Sequence, residues 1–293
     1  NVIFISVPLK EDTELRRVPP DVKKGWQELE DPPIPSYMVV TPHGGRLHLG
    51  DLDEATLKTL LDSPARGQIA KQLEEGKASV LVLLPGKDAK ANAEAEKAAT
   101  SLIKDIADGK IELYMAPPAY YGPPGEDAPE PPKVNVGFYK LNRDDPKEKW
   151  LEESLLSIEP DLKDEEFVDK PMVFGVFGRG RALPPFVGKG INPDNLLDCV
   201  DFVTGACSCT VKDQNPGMDL LFTKDWWAAA EKMAKQFGAE EGAEAQYGPA
   251  DFFPQLMIPE GEEAGDGEAP GEAADEVAVA DEEAMDEEAR PGD

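Results

Sequence analysis

The sequence predicts a mixed α/β protein built on an internally repeated unit of domain size. Three observations carry that expectation. A proline-led apolar strand, a glycine turn, a return strand, a glycine and a capped helix occur twice in the same order, once from Pro35 past Gly50 and again from Pro171 past Gly188. The run Ala78–Leu84 is continuously apolar, as expected of a strand covered on both faces. An Ala/Lys/Glu-rich stretch from about Ala89 to Asp108 places Ala95, Ala99, Leu102 and Ile106 on one helical stripe.

The elements follow in order. Val2-Ile3-Phe4-Ile5-Ser6-Val7 reads as a strand, and Val22, Trp26 and Leu29 are spaced for a short helix within the connector 10–31. Ile34–Thr41 is an apolar run of strand length, Pro42-His43-Gly44-Gly45 a turn, and Arg46–Leu49 the returning strand. Asp51 with Glu54 reads as a capping box, opening a helix with Leu57, Leu60 and Leu61 on one face; helix continues to Glu75 through Ile69 and Leu73. The stretch 116–132 is rich in Pro and Gly and packs poorly. Val134–Tyr139 is the next strand, and Asp145-Pro146 starts a helix containing Trp150, Leu151, Leu155 and Leu156.

The second proline-led strand is Lys170–Phe177, followed by the turn Gly178-Arg179-Gly180 and a return through Val187. Asn192 as N-cap and Pro193 as first helical residue open a helix carrying Leu196, Leu197, Val200 and Phe202. Thr223 caps an amphipathic helix through Trp226, Trp227, Ala230, Met233 and Phe237, whose default is to dock on its own chain.

Charge narrows the partners. The net charge is −29 over 293 residues, of which −14 falls in residues 259–293 and −15 in the rest. So acidic a surface repels nucleic-acid phosphates and anionic membranes, which argues against both. No apolar run approaches the roughly 20 residues that span a bilayer. The class of partner left is protein, and no motif calls for a cofactor. The tail 258–293, Glu/Ala/Gly/Asp-rich with few large hydrophobes, is expected to be disordered. The chain opens on a strand-like run without Met, which implies sequence upstream of Asn1, a targeting segment included.

The repeated half, with Pro35, Gly44/Gly45 and Gly50 in its first occurrence and Pro171, Gly178/Gly180 and Gly188 in its second, resembles the C-terminal ββα unit of thioredoxin-like domains. The resemblance implies two such domains in tandem. Residues 1–64 would be the C-terminal part of an N-terminally incomplete first domain, 65–77 a connecting helix, and 78–205 a complete second domain with its loop at 116–132. Residues 206–257, with Cys207-Ser208-Cys209 and the amphipathic helix, would precede the tail. It also implies that Pro35 and Pro171 are cis-prolines. The segments Leu61–Arg66, Phe174–Gly190 and Cys207–Gly217 further resemble an uncharacterised family of exported bacterial proteins over most of residues 1–227. That likeness implies an export signal and a periplasmic or envelope location, with no assigned activity.

Redox catalysis of the thioredoxin kind needs Cys-x-x-Cys at the start of the helix after the first strand, where the helix N-terminus lowers a thiol pKa. The corresponding stretch of the second domain, Leu84-Pro85-Gly86-Lys87-Asp88-Ala89, has no cysteine. A non-catalytic binding or scaffolding protein is therefore the leading expectation. Three readings stay open for the cysteines Cys199, Cys207 and Cys209: structural thiols, a thiol-disulfide oxidoreductase or thiol chaperone using Cys207/Cys209 or cysteines upstream of the chain (where the first domain's Cys-x-x-Cys position would lie), and soft-metal ligands. Arg179, Arg181 and Lys189 form a basic island that suits an anion or an acidic partner, although no P-loop follows and a hairpin turn accounts for the glycines. His43 and His48 read as surface histidines.

Overall fold

Strand Ser79–Leu84 (β3) is buried along its whole length, and the rest of the fold is layered around it. The computed structural model describes residues 5–31, 34–41, 45–113, 133–205, 217–226 and 228. Residues 1–241 cluster as one unit and 242–293 as another, and all the described residues belong to the first.

The elements before β3 are helix α1 (Pro20–Gln27), strands β1 (Tyr37–Val40) and β2 (Arg46–Gly50), and helices α2 (Glu54–Leu61) and α3 (Pro64–Glu74). After it come α4 (Ala89–Ala107), β4 (Val136–Lys140), a 3-10 turn at Pro146–Glu148, α5 (Lys149–Leu155) and β5 (Met172–Phe177). The chain ends its described part with β6 (Arg181–Ala182), β7 (Phe186–Val187), a 3-10 turn at Gly188–Gly190, α6 (Pro193–Gly205) and β8 (Met218–Asp219).

One mixed sheet of six strands runs in the order β4-β3-β5-β6-β8, with β7 also on β5. β4 is parallel to β3, which requires the crossover that α4 supplies, and β5 is antiparallel to β3 in unbroken register from Ser79 opposite Phe177 to Leu84 opposite Met172. Alternation along the strands divides the core. Leu81, Leu83 and Val173 face Ala95, Ala99, Leu102 and Ile106 of α4 and Leu196 and Val200 of α6. Val80, Val82, Leu84, Met172, Phe174 and Val176 face α3, α5 and the chain from Met218 to Phe222 on the other side. The result is helix, sheet, helix: a mixed α/β sandwich.

Among the described residues β1 and β2 pair only with each other, from Tyr37 opposite Gly50 to Val40 opposite Arg46. This hairpin rests on α5. The His48 ring lies 5.8 Å from that of Trp150, whose Nε1–H donates to Thr59 Oγ1 of α2 at 3.0 Å. Gly45, just before β2, meets the chain that follows α5, where a Cβ on it would lie 2.8 Å from Ser157 Cβ.

A buried polar node fixes these layers together. Glu148, 2% exposed, accepts a hydrogen bond from Ser63 Oγ at 2.6 Å and from the Ala65 amide at 2.8 Å, so a carboxylate sits on the N-terminus of α3. Arg66, 5% exposed, donates to the Leu60 carbonyl at the end of α2 and to the Leu221 carbonyl at 2.6 Å. Burial pulls its guanidinium below the ordinary arginine value, and the neighbouring charge of Glu148 opposes that pull.

Several expectations are corrected. Ile5-Ser6-Val7 form no strand, and residues 1–4 lie outside the described part. The cap of α2 is Asp53 rather than Asp51, since Asp53 Oδ1 accepts from the Thr56 amide at 2.8 Å. Leu57 and Leu61 do not share a buried face with Leu60 but are 39% and 46% exposed, because α2 turns Thr56, Thr59 and Leu60 inward towards Trp150. A break at Asp62-Ser63 separates α2 from α3, with Ser63 capping the second helix through Arg66 N. The return strand after Gly180 is interrupted at Leu183–Pro185 into β6 and β7, since consecutive prolines supply no ladder donors. Asp225 rather than Thr223 caps the turn at Trp226, accepting from the Ala228 amide at 3.2 Å.

The cis-proline expectation holds at Pro35 and fails at Pro171. The Ile34–Pro35 peptide is cis, whereas Lys170–Pro171 is trans. Trans is the intrinsically favoured isomer by about 0.5–1 kcal/mol, and in that form the Pro171 carbonyl accepts from Gly188 N at 2.9 Å.

Removing one member of a buried charged node leaves the others desolvated and unpaired. Glu148→Ala is expected to lower the unfolding free energy by about 3 kcal/mol, measured by urea denaturation followed by circular dichroism. A loss under about 1 kcal/mol would show that the node is dispensable.

Candidate functional site

In open α/β sheets, ligand sites form beyond the carboxyl ends of parallel strands. Here that end is closed by interlocking backbone and side chains. After β3 the chain turns through Pro85-Gly86-Lys87 into α4, whose N-cap Asp88 accepts from the amides of Lys90 and Ala91. Asn92, one turn on, reaches back with both ends of its side chain: Oδ1 accepts from Gly86 N at 2.7 Å and Nδ2 donates to Gly86 O at 2.8 Å. The facing wall is Asp169-Lys170-Pro171. Lys87 N donates to Asp169 O at 2.8 Å, and Lys87 Nζ pairs with the Asp169 carboxylate at 2.8 Å. A Cβ on Gly86 would run into the Asp169 carbonyl oxygen and lie 2.5 Å from the Lys170 carbonyl carbon, so only glycine permits this approach.

Arg143, just past β4, completes the closure. It donates to Pro85 O at 2.9 Å and Val168 O at 3.2 Å, and its Nε meets Glu152 Oε1 of α5 at 2.7 Å. Its side chain is only 25% exposed and that of Glu152 18%. A partly buried guanidinium thus holds both walls and one helix in register. No thiol, hydroxyl nucleophile or histidine sits among these groups; the ionisable side chains here are Lys87, Asp88, Arg143, Glu152 and Asp169.

The sequence-derived candidates are dispersed. Cys199 lies inside α6, its Sγ against Gly175, beside Phe177, Leu183, Phe202 and Val203. It is a free thiol, and burial pushes its pKa up to about 12. Cys207 and Cys209 lie outside the described residues, as do His43 and the acidic tail. The basic island separates. Arg181 is opposite Phe177 and pairs with Asp219 at 3.3 Å, while Lys189 follows β7, whose Val187 is opposite Met172. These are opposite ends of β5, about 17 Å apart at the usual rise of a strand. Arg179 sits in the turn at the Arg181 end, so the two arginines and Lys189 do not converge. His48 is structural, its Nε2 at 2.8 Å from Asp51 O and its ring on Trp150.

Among the described residues no group of His, Cys, Asp or Glu is arranged to hold a metal ion, and no helix is long and apolar enough to cross a membrane. A cleft of about 630 Å³ opens along α3 between Asp62, Gly67, Lys71, Glu74 and Lys224. Its cations are matched internally, Lys224 with Glu74 at 2.9 Å and Lys71 with Glu75 at 3.8 Å. The residues that sequence reading missed are Asn92, Arg143, Glu152 and Asp169. The one local signal for them is a glycine between β3 and an Asp-capped helix, a position where backbones meet.

The chain matches no protein-family model, and no curated protein or solved structure matches it.

Two outcomes are expected. Gly86→Ala should destabilise by about 1–3 kcal/mol, because the clash is with backbone that has nowhere to move; thermal unfolding measures it. In a Cys207→Ser/Cys209→Ser protein the remaining Cys199 should resist an aromatic disulfide reagent at pH 8 while folded and react fully in guanidinium. Rapid labelling of the folded form would refute its burial.

Proposed function

We propose that this chain is a non-catalytic binding or scaffolding protein of the thioredoxin-like kind, with residues 78–205 as a complete domain and residues 1–64 as the C-terminal part of another. The observation that carries the proposal is the closed loop after β3. It occupies the place where the resemblance would put Cys-x-x-Cys, and it holds Gly86 pressed on Asp169 and bridged by Arg143. Support for the fold comes from one sheet that joins a β3–α4–β4 crossover to a β5–β6–α6 half in which a glycine turn links the strands. The hairpin β1–β2 followed by capped α2 repeats the latter order, with the cis-proline at Pro35. The trans peptide at Pro171 departs from the family pattern.

In this reading the ligand is another protein, no cofactor is involved, and the setting is the envelope of a bacterium. Catalysis by Cys207 and Cys209 is the competing reading, and one assay separates the two. The protein should not accelerate reduction of insulin disulfides by dithiothreitol. An acceleration that disappears in the Cys207→Ser/Cys209→Ser protein would establish an oxidoreductase and overturn the proposal.

A further inference from the structure

The main sheet ends on a strand that comes from outside residues 78–205. β6 would otherwise be its edge, and β8 lies along it as an added strand. The attachment has the form of a bound peptide. Main-chain pairing is short: Arg181 stands opposite Asp219 and Ala182 opposite Met218, and Leu220 N donates to Gly180 O at 2.9 Å, whereas β3 and β5 pair along their whole length. Alternate side chains supply the rest. Met218, Leu220 and Phe222 enter the core that holds Val176 and Ala182, while Asp219 between them is exposed. The body meets this segment with shaped places. Gly180 makes room for the Phe222 ring, and Arg66 donates to the Leu221 carbonyl at 2.6 Å. A Cβ on Gly217 would lie 2.6 Å from Ala182 O, and its φ is +24°, so glycine precedes the first apolar residue. The outer ties are ion pairs in contact with solvent, Asp219 with Arg181 and Lys224 with Glu74, and contribute little.

We propose that the groove along β6 is a strand-acceptor site, and that Met218–Phe222 is the chain's own, displaceable occupant. The ligand is an extended segment of another protein, with a glycine followed by large apolar residues at three alternate positions. Main-chain pairing at a sheet edge gives such a site affinity, and pockets for alternate side chains give it specificity. Exchange, rather than simple addition, follows from the core. The hollow at Gly180 is part of it, so one strand leaves as another enters. The tethered segment competes at high effective concentration, which reserves the site for partners that match its pattern. This inference rests on the binding reading above and names the class of ligand for it.

The test is hydrogen exchange of the intact chain in the presence of a synthetic peptide spanning Gly217–Asp225. At millimolar peptide the chain's own Leu220 amide should exchange about tenfold or more faster, because its strand is displaced, with the amides of β3 and β5 unchanged. Peptides carrying Leu220→Ala/Phe222→Ala or Gly217→Val should leave Leu220 protected. Unchanged exchange at Leu220 with the native peptide overturns the proposal. So does a loss of protection that the substituted peptides cause equally, or one that spreads to β3 and β5. The insulin assay stays independent of this outcome: a chain that neither accelerates reduction nor yields its strand keeps the non-catalytic reading and loses this one.

Discussion

The carboxylate of Glu148 on the N-terminus of α3 is the constraint from which the other packing follows. It joins segments far apart in the chain, Ser63–Ala65 and the turn before α5. Arg66 beside it extends the tie to the end of α2 and to the last described strand region at Leu221. Because the node is buried, the Glu148 carboxylate and the terminal nitrogens of Arg66 are held by their partners, and losing one of those bonds costs more than the bond contributes in water. The node thus fixes orientation, while the flanking hydrophobic clusters provide most of the stabilisation. The hairpin β1–β2 is carried on the same helix, α5, that the node anchors.

The same logic of commitment explains the closed loop after β3. A site able to bind a substrate must hold polar groups in reserve. Here Lys87 pairs with Asp169, Asn92 holds the Gly86 backbone, and Arg143 holds Glu152 and the Pro85 and Val168 carbonyls. Two backbones converge where Gly86 lacks a side chain, and the guanidinium of Arg143 takes a carbonyl from each segment. The end of the sheet that usually carries chemistry has become a joint.

Sequence reading recovered what periodicity encodes. β3, α4 and α6 came out with the correct inward residues, because an all-apolar strand and a regular stripe state their own burial. It failed where a tertiary neighbour decides. Leu57 and Leu61 look like core on a helical wheel, yet Trp150 claims the Thr59 side of α2. Arg179, Arg181 and Lys189 are close in sequence, but the strand register sends them to opposite ends of β5. The node was illegible because a glutamate, a serine and an arginine in an acidic, charged sequence look like surface residues, and nothing local marks one carboxylate as buried.

The chain from Met218 to Phe222 has a temporal consequence. Gly180, at φ +100°, leaves a hollow that the Phe222 ring fills, and Met218 and Leu220 enter the same core. These residues follow every other described strand in the sequence, so a nascent chain emerges from the ribosome with that hollow empty and that face of β5 covered only in part, by α3 and α5. The sandwich cannot close fully during synthesis of its central strands; it waits for Met218–Phe222, which follow them in the chain. A chaperone that shields apolar surface would find its longest-lived target at that face, and premature termination before Met218 would leave an open-faced intermediate in place of a shorter folded protein.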